Sequence, residues 1–202
     1  MKQNIKGMLS LEELEELVKR EEIDTVLMVF TDLYGRFMGK RYDAEFFLEE
    51  GAGHGTHACD YFITVDMEME PVDGYEIANW ERGYGDFHLV PDFSTLRRAS
   101  WLDRTAMVIC DVLHENSHEM IAPAPRSMLV SQIEKAKKLG FTAKAGSELE
   151  YFIFQNSYQD ASETGYQQLK PAGWYIEDYH ALQGAREENF NGTVRRHLRQ
   201  SG

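Results

Sequence analysis

Cysteine is almost missing from this chain: only Cys59 and Cys110 occur in 202 residues. With no Cys-x-x-Cys spacing they provide neither a disulfide framework nor a zinc knuckle, and both read as small core residues. Proline is scarce as well, five in all, and two of them, Pro123 and Pro125, fall together and mark a boundary. Long apolar runs are lacking, so nothing approaches the roughly 20 residues of a membrane span. The N-terminus also lacks the basic-then-apolar pattern of a secretion signal, and a cytoplasmic protein is expected. Positive charge is in short supply: 21 Lys and Arg stand against 34 Asp and Glu, a formal charge of −13. That balance speaks against nucleic acid or an anionic membrane as main partner, and a polyanionic substrate would need a local cation or arginine cluster. What is present in quantity is core material. Hydrophobic residues make up 43% and aromatics 12%, enough for one large soluble domain or two small ones.

Ser10-Leu11-Glu12-Glu13 has the form of a capping box, and Leu11, Leu14, Leu17 and Val18 give the helix after it an apolar side. Thr25 to Phe30 is a buried strand, and Asp32 to Arg36 a turn before a second strand through Phe37, Met38 and Tyr42, so the two form a hairpin. Ala44 to Glu50 predicts a short helix, and the glycine-rich stretch 51–55 a loop; it follows a helix and lacks the Gly-Lys-Ser/Thr ending of a phosphate-binding loop. Further strands are predicted near Tyr61 to Met69, Phe87 to Val90 and Thr105 to Leu113, a helix over Ser127 to Leu139, and a strand pair at Phe141 to Ala145 and Gly146 to Phe154. A polar loop from Asn156 to Lys170 and a final helix from about Ala185 or Glu187 to Leu198 complete the pattern. The organisation is a β-rich domain over residues 1–119 and the opening of a second over 120–202.

The segment Gly146 to Phe154 carries the strongest chemical signal. In a strand Glu148 and Glu150 share one face with Phe152 and Phe154. Burying two carboxylates without partners costs several kcal/mol, so the pair calls for a cation, basic partners or a raised pKa. Oxygen-only ligation suits Mg²⁺ or Mn²⁺. From the residue pattern alone an edge strand with both acids in water is equally open. Asp66, Glu68 and Glu70 form a second alternating set, read as a solvated edge strand because Pro71, Asp73 and Gly74 follow. His114 and His118 stand four apart, but the loop-like residues between them favour a loop over a metal site. Asp60 and Asp86 each lie against aromatic neighbours, where desolvation can raise a carboxyl pKa; each could also simply cap a turn. Arg126, Arg186, Arg195 and Arg196 are the available anion clamps.

Together these stretches resemble the glutamine synthetase family. Phe30 to Arg36 with Gly39-Lys40 is similar to its first β-grasp hairpin, and Pro91-Asp92-Phe93-Ser94-Thr95 to its Pro-Asp-x-Ser-Thr segment. Cys110-Asp111-Val112 followed by Ala124-Pro125-Arg126-Ser127 resembles the strand and turn leading into the catalytic domain, and Gly146 to Phe154 its Glu-x-Glu-aromatic metal strand. The resemblance implies an α+β fold: an N-terminal β-grasp domain, then the first helix and strands of an incomplete catalytic domain. It implies an ATP-dependent glutamate–ammonia or glutamate–amine ligase acting through γ-glutamyl phosphate. Glu148 and Glu150 would ligate Mg²⁺ or Mn²⁺, with ATP as substrate, while Asp60 and Asp86 would serve the ammonium site of a homo-oligomer with active sites between subunits.

Two departures follow. The family's Gly-Ser-Ser after the first aspartate is replaced by Tyr61-Phe62-Ile63, and the run Tyr75 to Asp86 looks like divergent branches that take amines, so a primary amine is a candidate acceptor. The chain also ends at Gly202, ahead of the positions where the family places its further metal ligands, its glutamate loop and its catalytic arginines. The expectation is a polypeptide inactive as a ligase alone. The competing reading is a non-catalytic family member or fragment serving as an oligomerisation or interaction module; a different carboxylate–metal hydrolase would need a nucleophile motif that is not seen.

Overall fold

The computed structural model describes residues 5–173, 176 and 178–202. They form two compact units, one comprising the chain up to Thr142 with Arg196–Gly202, the other Ala143–Arg195.

The first unit is built on a mixed sheet of six strands: β1 (Thr25–Thr31), β2 (Phe37–Asp43), β3 (Thr56–Cys59), β4 (Asp86–Pro91), β5 (Arg97–Arg98) and β6 (Thr105–His114). The order is β2-β1-β6-β4-β3, with β5 also on β6. β6 organises the sheet. Its first half pairs in parallel with β1, Thr25 opposite Thr105 through Val29 opposite Ile109. Its second half pairs antiparallel with β4, Pro91 opposite Cys110 through Phe87 opposite His114. The β1/β2 hairpin turns on Asp32, which is buried; its Oδ1 accepts the N–H groups of Tyr34 and Arg36, and its Oδ2 accepts Arg36 Nε at 2.6 Å. Arg36 then donates to the carbonyls of Asp66 and Met67, pinning the next loop to the hairpin.

Helix α1 (Leu11–Lys19) starts at the expected capping box, with Ser10 Oγ accepting the Glu13 N–H and Glu13 Oε2 accepting the Ser10 N–H. Its Leu14 is fully buried against a core that includes Val26, Met28, Phe30, Phe47, Phe87 and Leu89. Phe30 and Phe87 meet edge to face at 6.4 Å. Each such ring contributes about 2–3 kcal/mol by leaving water. The helical stretch after β2 runs through α2 (Ala44–Phe46), a π turn (Phe47–Gly51) and α3 (Ala52–His54), longer than expected, and stops at Gly55. A smaller cluster, Val29, Ala99 and Met107, covers the other side of the β1–β6 pair. Helix α4 (Pro125–Lys138) packs on this unit with proline in its first turn, a position where the missing N–H costs nothing.

In the second unit are α5 (Tyr158–Glu163) and most of α6 (Glu188–Ser201). α5 sits inside the stretch expected to be loop. Its start was legible in Ser157-x-x-Asp160, a second capping box with both reciprocal bonds formed.

Two predicted strand regions differ. Tyr61 to Met69 forms a 3₁₀ turn (Asp60–Ile63) and a tight bend, because Asp66 Oδ1 captures the N–H groups of Glu68 and Glu70 that a ladder would have used. Asp66, Glu68 and Glu70 therefore form no carboxylate ladder. Phe141 to Phe154 contains no strand either; a single bridge joins Phe154 to Pro171. A strand exists only through a partner's hydrogen bonds, and beyond the Ala172 N–H donated to the Ile153 carbonyl at 2.8 Å no ladder forms along Gly146–Ile153 among the described residues. The apolar residues that suggested burial are open instead, Leu149 at 83% and Phe152 at 87% exposure.

Candidate active-site pocket

β3 and β4 bring Asp60 and Asp86 together. Cys59 lies opposite Asp86 in the antiparallel register, and one residue on, the Asp60 N–H donates to the Gly85 carbonyl at 2.9 Å. Both acids line a cavity of about 410 Å³ in the first unit, with Arg82 and the polar turn Glu115-Asn116-Ser117 among its walls. The turn is held by β6: the His114 N–H donates to Glu119 O and the His118 N–H to His114 O.

Asp60 is the reactive-looking member. Its Oδ2 accepts the Gly85 N–H at 3.0 Å, whereas its Oδ1 is closed to solvent and has no hydrogen-bond partner among the described residues. Burial pushes its carboxyl above the ordinary aspartate value; the Gly85 hydrogen bond and the Arg82 charge pull it back, and the Asp86 charge adds to the rise. A desolvated carboxylate oxygen without a donor suits proton acceptance or a hold on an ammonium group. Asp86 is exposed at the pocket rim. After Asp60 the aromatic Tyr61 packs against Phe62 at 4.5 Å and Tyr84 at 5.7 Å, and Tyr84 in turn meets Trp80 at 5.3 Å. Arg82 and the 115–119 turn were not singled out from the sequence. The signal available for the turn was a polar run directly after a strand that ends beside Phe87.

Arg126, an expected anion clamp, is already engaged. Its Nε donates to Asp111 Oδ1 at 2.6 Å and its Nη2 to Asp92 Oδ2. Desolvation alone would raise Asp92, but hydrogen bonds from Ser94 and the Arg126 charge outweigh it and hold its carboxyl below the usual value. Asp92 also caps the 3₁₀ turn Phe93–Thr95 through the Ser94 N–H, and Thr95 Oγ1 accepts the Ile109 N–H. The Pro-Asp-x-Ser-Thr stretch and the turn into α4 are thus structural, two motifs joined by one guanidinium.

Glu148 and Glu150 lie in the second unit on exposed chain outside any helix or strand. They are hard oxygen donors two residues apart and, among the described residues, neither takes a hydrogen bond or ion pair. They fit part of a Mg²⁺ or Mn²⁺ shell. Among the described residues no group of three or more His, Cys, Asp or Glu side chains could hold a metal ion. No helix among them is long and apolar enough to cross a membrane.

Residues 122–200 match the model of the glutamine synthetase catalytic domain. Over 194 residues the chain is 42% identical to γ-glutamylethanolamide synthetase GlnA4 of Streptomyces coelicolor, covering 96% of this chain and 42% of that protein. It is 32% identical over 187 residues to glutamate–isopropylamine ligase of a Pseudomonas species, covering 93% of this chain and 40% of that one. A solved structure of ligand-free GmaS covers 90% of this chain and 38% of its own, with a TM-score of 0.59 at 18% identity, a likeness of fold. The chain thus spans about two-fifths of the length of the curated relatives it matches. A mixed sheet with a carboxylate pocket, followed by a stretch matched to a synthetase catalytic domain, sets the class. The chain belongs to the glutamine synthetase family, on the divergent branch whose relatives here are named for amines.

Proposed function

We propose that this chain is part of an ATP-dependent glutamate–amine ligase, cytoplasmic and homo-oligomeric, with active sites formed between subunits. The observation that carries the reading is the 42% identity to γ-glutamylethanolamide synthetase across 96% of the chain. On this reading the sheet of the first unit is the β-grasp domain of residues 1–119, and the catalytic domain opens near residue 120, in keeping with the matched span 122–200. The glutamate γ-carboxylate attacks the γ-phosphate of ATP, and the amine then displaces phosphate from γ-glutamyl phosphate. Glu148 and Glu150 would hold Mg²⁺ or Mn²⁺, which supplies neutralisation of phosphate charge when bound. Asp60, with its unpartnered Oδ1, and Asp86 bind the protonated amine and take its proton, leaving the lone pair free for attack. Ammonia and a primary amine are both chemically competent acceptors; the aromatic residues after Asp60 favour an amine with an organic substituent.

The test is phosphate release by the full-length protein given ATP, glutamate and a panel of ammonia, ethanolamine, isopropylamine and diamines. Turnover with at least one amine is expected, and Glu148→Ala should abolish it. Retained turnover in that variant would remove Glu148 from the metal assignment, and no turnover with any acceptor would remove the ligase reading.

A further inference from the structure

Three imidazoles gather on the first unit away from the acid pocket's floor. His57 stacks on His88 with centroids 5.1 Å apart and planes within 19°, and His118 meets His88 edge to face at 5.3 Å. The Nδ1 atoms of His88 and His118 share a hydrogen bond at 3.3 Å. Nε2 of His88 donates to the His54 carbonyl at 2.7 Å, so that nitrogen carries the hydrogen and neutral His88 presents a bare Nδ1 toward His118.

We propose that His88 and His118 form a two-imidazole site for a divalent transition cation of the Zn²⁺ type. The spacing fits it. Metal–nitrogen bonds of about 2.0–2.1 Å at a tetrahedral angle put two ligand nitrogens about 3.3–3.4 Å apart, so a cation takes the place of the hydrogen shared by the two rings with little movement of either. The outer contact fits as well, since a ligating histidine usually donates its other N–H to a carbonyl or carboxylate, which fixes ring and tautomer. Gly55 sits at φ +69°, and a Cβ there would meet first the Leu89 carbonyl oxygen and then His88 Nε2 at 2.8 Å, so β4 and its histidine ring both press against this glycine. His118 itself takes the left-handed φ of +55°, a conformation unfavourable for a residue other than glycine. Two protein ligands leave the remaining positions to water, so the site is open and its affinity micromolar. Imidazole donors select Zn²⁺, Ni²⁺ or Cu²⁺ over Mg²⁺. The consequence is mechanical. Cation binding ties β4 to the turn at 114–119, whose residues wall the cavity holding Asp60 and Asp86, and stiffens that wall. Neither the ions nor the residues are those proposed for the ligase reaction.

The test is calorimetric titration of chelator-stripped protein with Zn²⁺ in excess Mg²⁺. One Zn²⁺ per chain is expected, weakened tenfold or more by His118→Ala and by His88→Ala. It should be unchanged in His54→Ala, because His54 contributes its carbonyl and not its ring. Zn²⁺ should also slow hydrogen exchange at residues 115–119 in the parent protein and not in His118→Ala. His118 is exposed, so its variant keeps the fold even if His88→Ala does not. Binding that survives His118→Ala, binding lost equally in His54→Ala, or no binding at about 100 µM Zn²⁺ would each overturn the assignment.

Discussion

Asp60 is where the geometry makes its sharpest demand, and replacing it by Asn should stabilise the protein. The carboxylate gives one oxygen to the Gly85 N–H and leaves the other enclosed without a donor. Asn keeps the first bond through its carbonyl and removes the charge; its amide still lacks a partner, so only the electrostatic part of the penalty is relieved. An unpaired buried polar group costs about 1–3 kcal/mol, and the half-open position of this residue brings the net gain to about 1 kcal/mol. For a protein of this size that is a rise of about 2–4 °C in Tm. The pH dependence fixes the cause. The folded-state pKa of Asp60 lies above its ordinary value, burial being the main reason. Below the ordinary carboxylate range both folded and unfolded states hold the proton and the aspartate costs nothing. As pH climbs from there through the raised folded value, the unfolded chain has released a proton that the folded one still binds, so stability falls. Above the folded value the deficit is constant. The advantage of Asn should thus be absent near about pH 3.5, grow through the range above it and level off toward neutrality. Urea titrations followed by circular dichroism at several pH values measure this directly. A variant less stable than the parent at neutral pH, or an advantage equal at every pH, would refute the picture of an unpaired, desolvated carboxylate.

The remaining expectations are simpler. Arg126→Met leaves Asp92 and Asp111 facing each other without their shared guanidinium. With side chains about a quarter to a third exposed, the loss should be about 2 kcal/mol and lower Tm by about 5 °C, and a shift under one degree would show that the knot is not structural. Burial, with the Asp111 charge beside it, pushes the Cys110 thiol up to about 12, so in native protein a disulfide reagent at about pH 8 should leave Cys110 unlabelled until urea is added. Labelling of Cys110 at native rates would contradict its enclosure.

Local signals in the sequence carried over into structure where the decisive bonds are local. The Ser10 and Asp32 hydrogen bonds span four residues or fewer, and both were readable. So were the strands around Phe30, Phe87 and Val108, whose apolar content exceeds anything a loop would carry. Failures arose where a partner decides. Thr56–Cys59 went unread as a strand because its polar and small residues gain stability only from pairing with β4. Tyr61 to Met69 has strand-like content, yet Asp66 offers its own backbone a closer acceptor. Gly146 to Ile153 has the composition of a buried strand and finds no ladder. Asp60 and Asp86 were singled out one by one, from their aromatic neighbours; that they share a cavity depends on a register linking residues 56–59 to 86–89, which no local pattern encodes.

The place of β6 also sets the order of events during synthesis. Both sheet halves depend on Thr105–His114, the last of the six strands in the chain. Until the ribosome releases it, the β1/β2 hairpin and the β3/β4 pair emerge with bare inner edges, and Val26, Met28 and Phe30 on one side and Phe87 and Leu89 on the other lack the strand between them. A parallel pair closed across so many residues is a slow, entropy-limited step. The nascent chain must therefore carry two sticky half-sheets until residue 114 has left the ribosome, and a pause before that point exposes it to aggregation more than a pause after it.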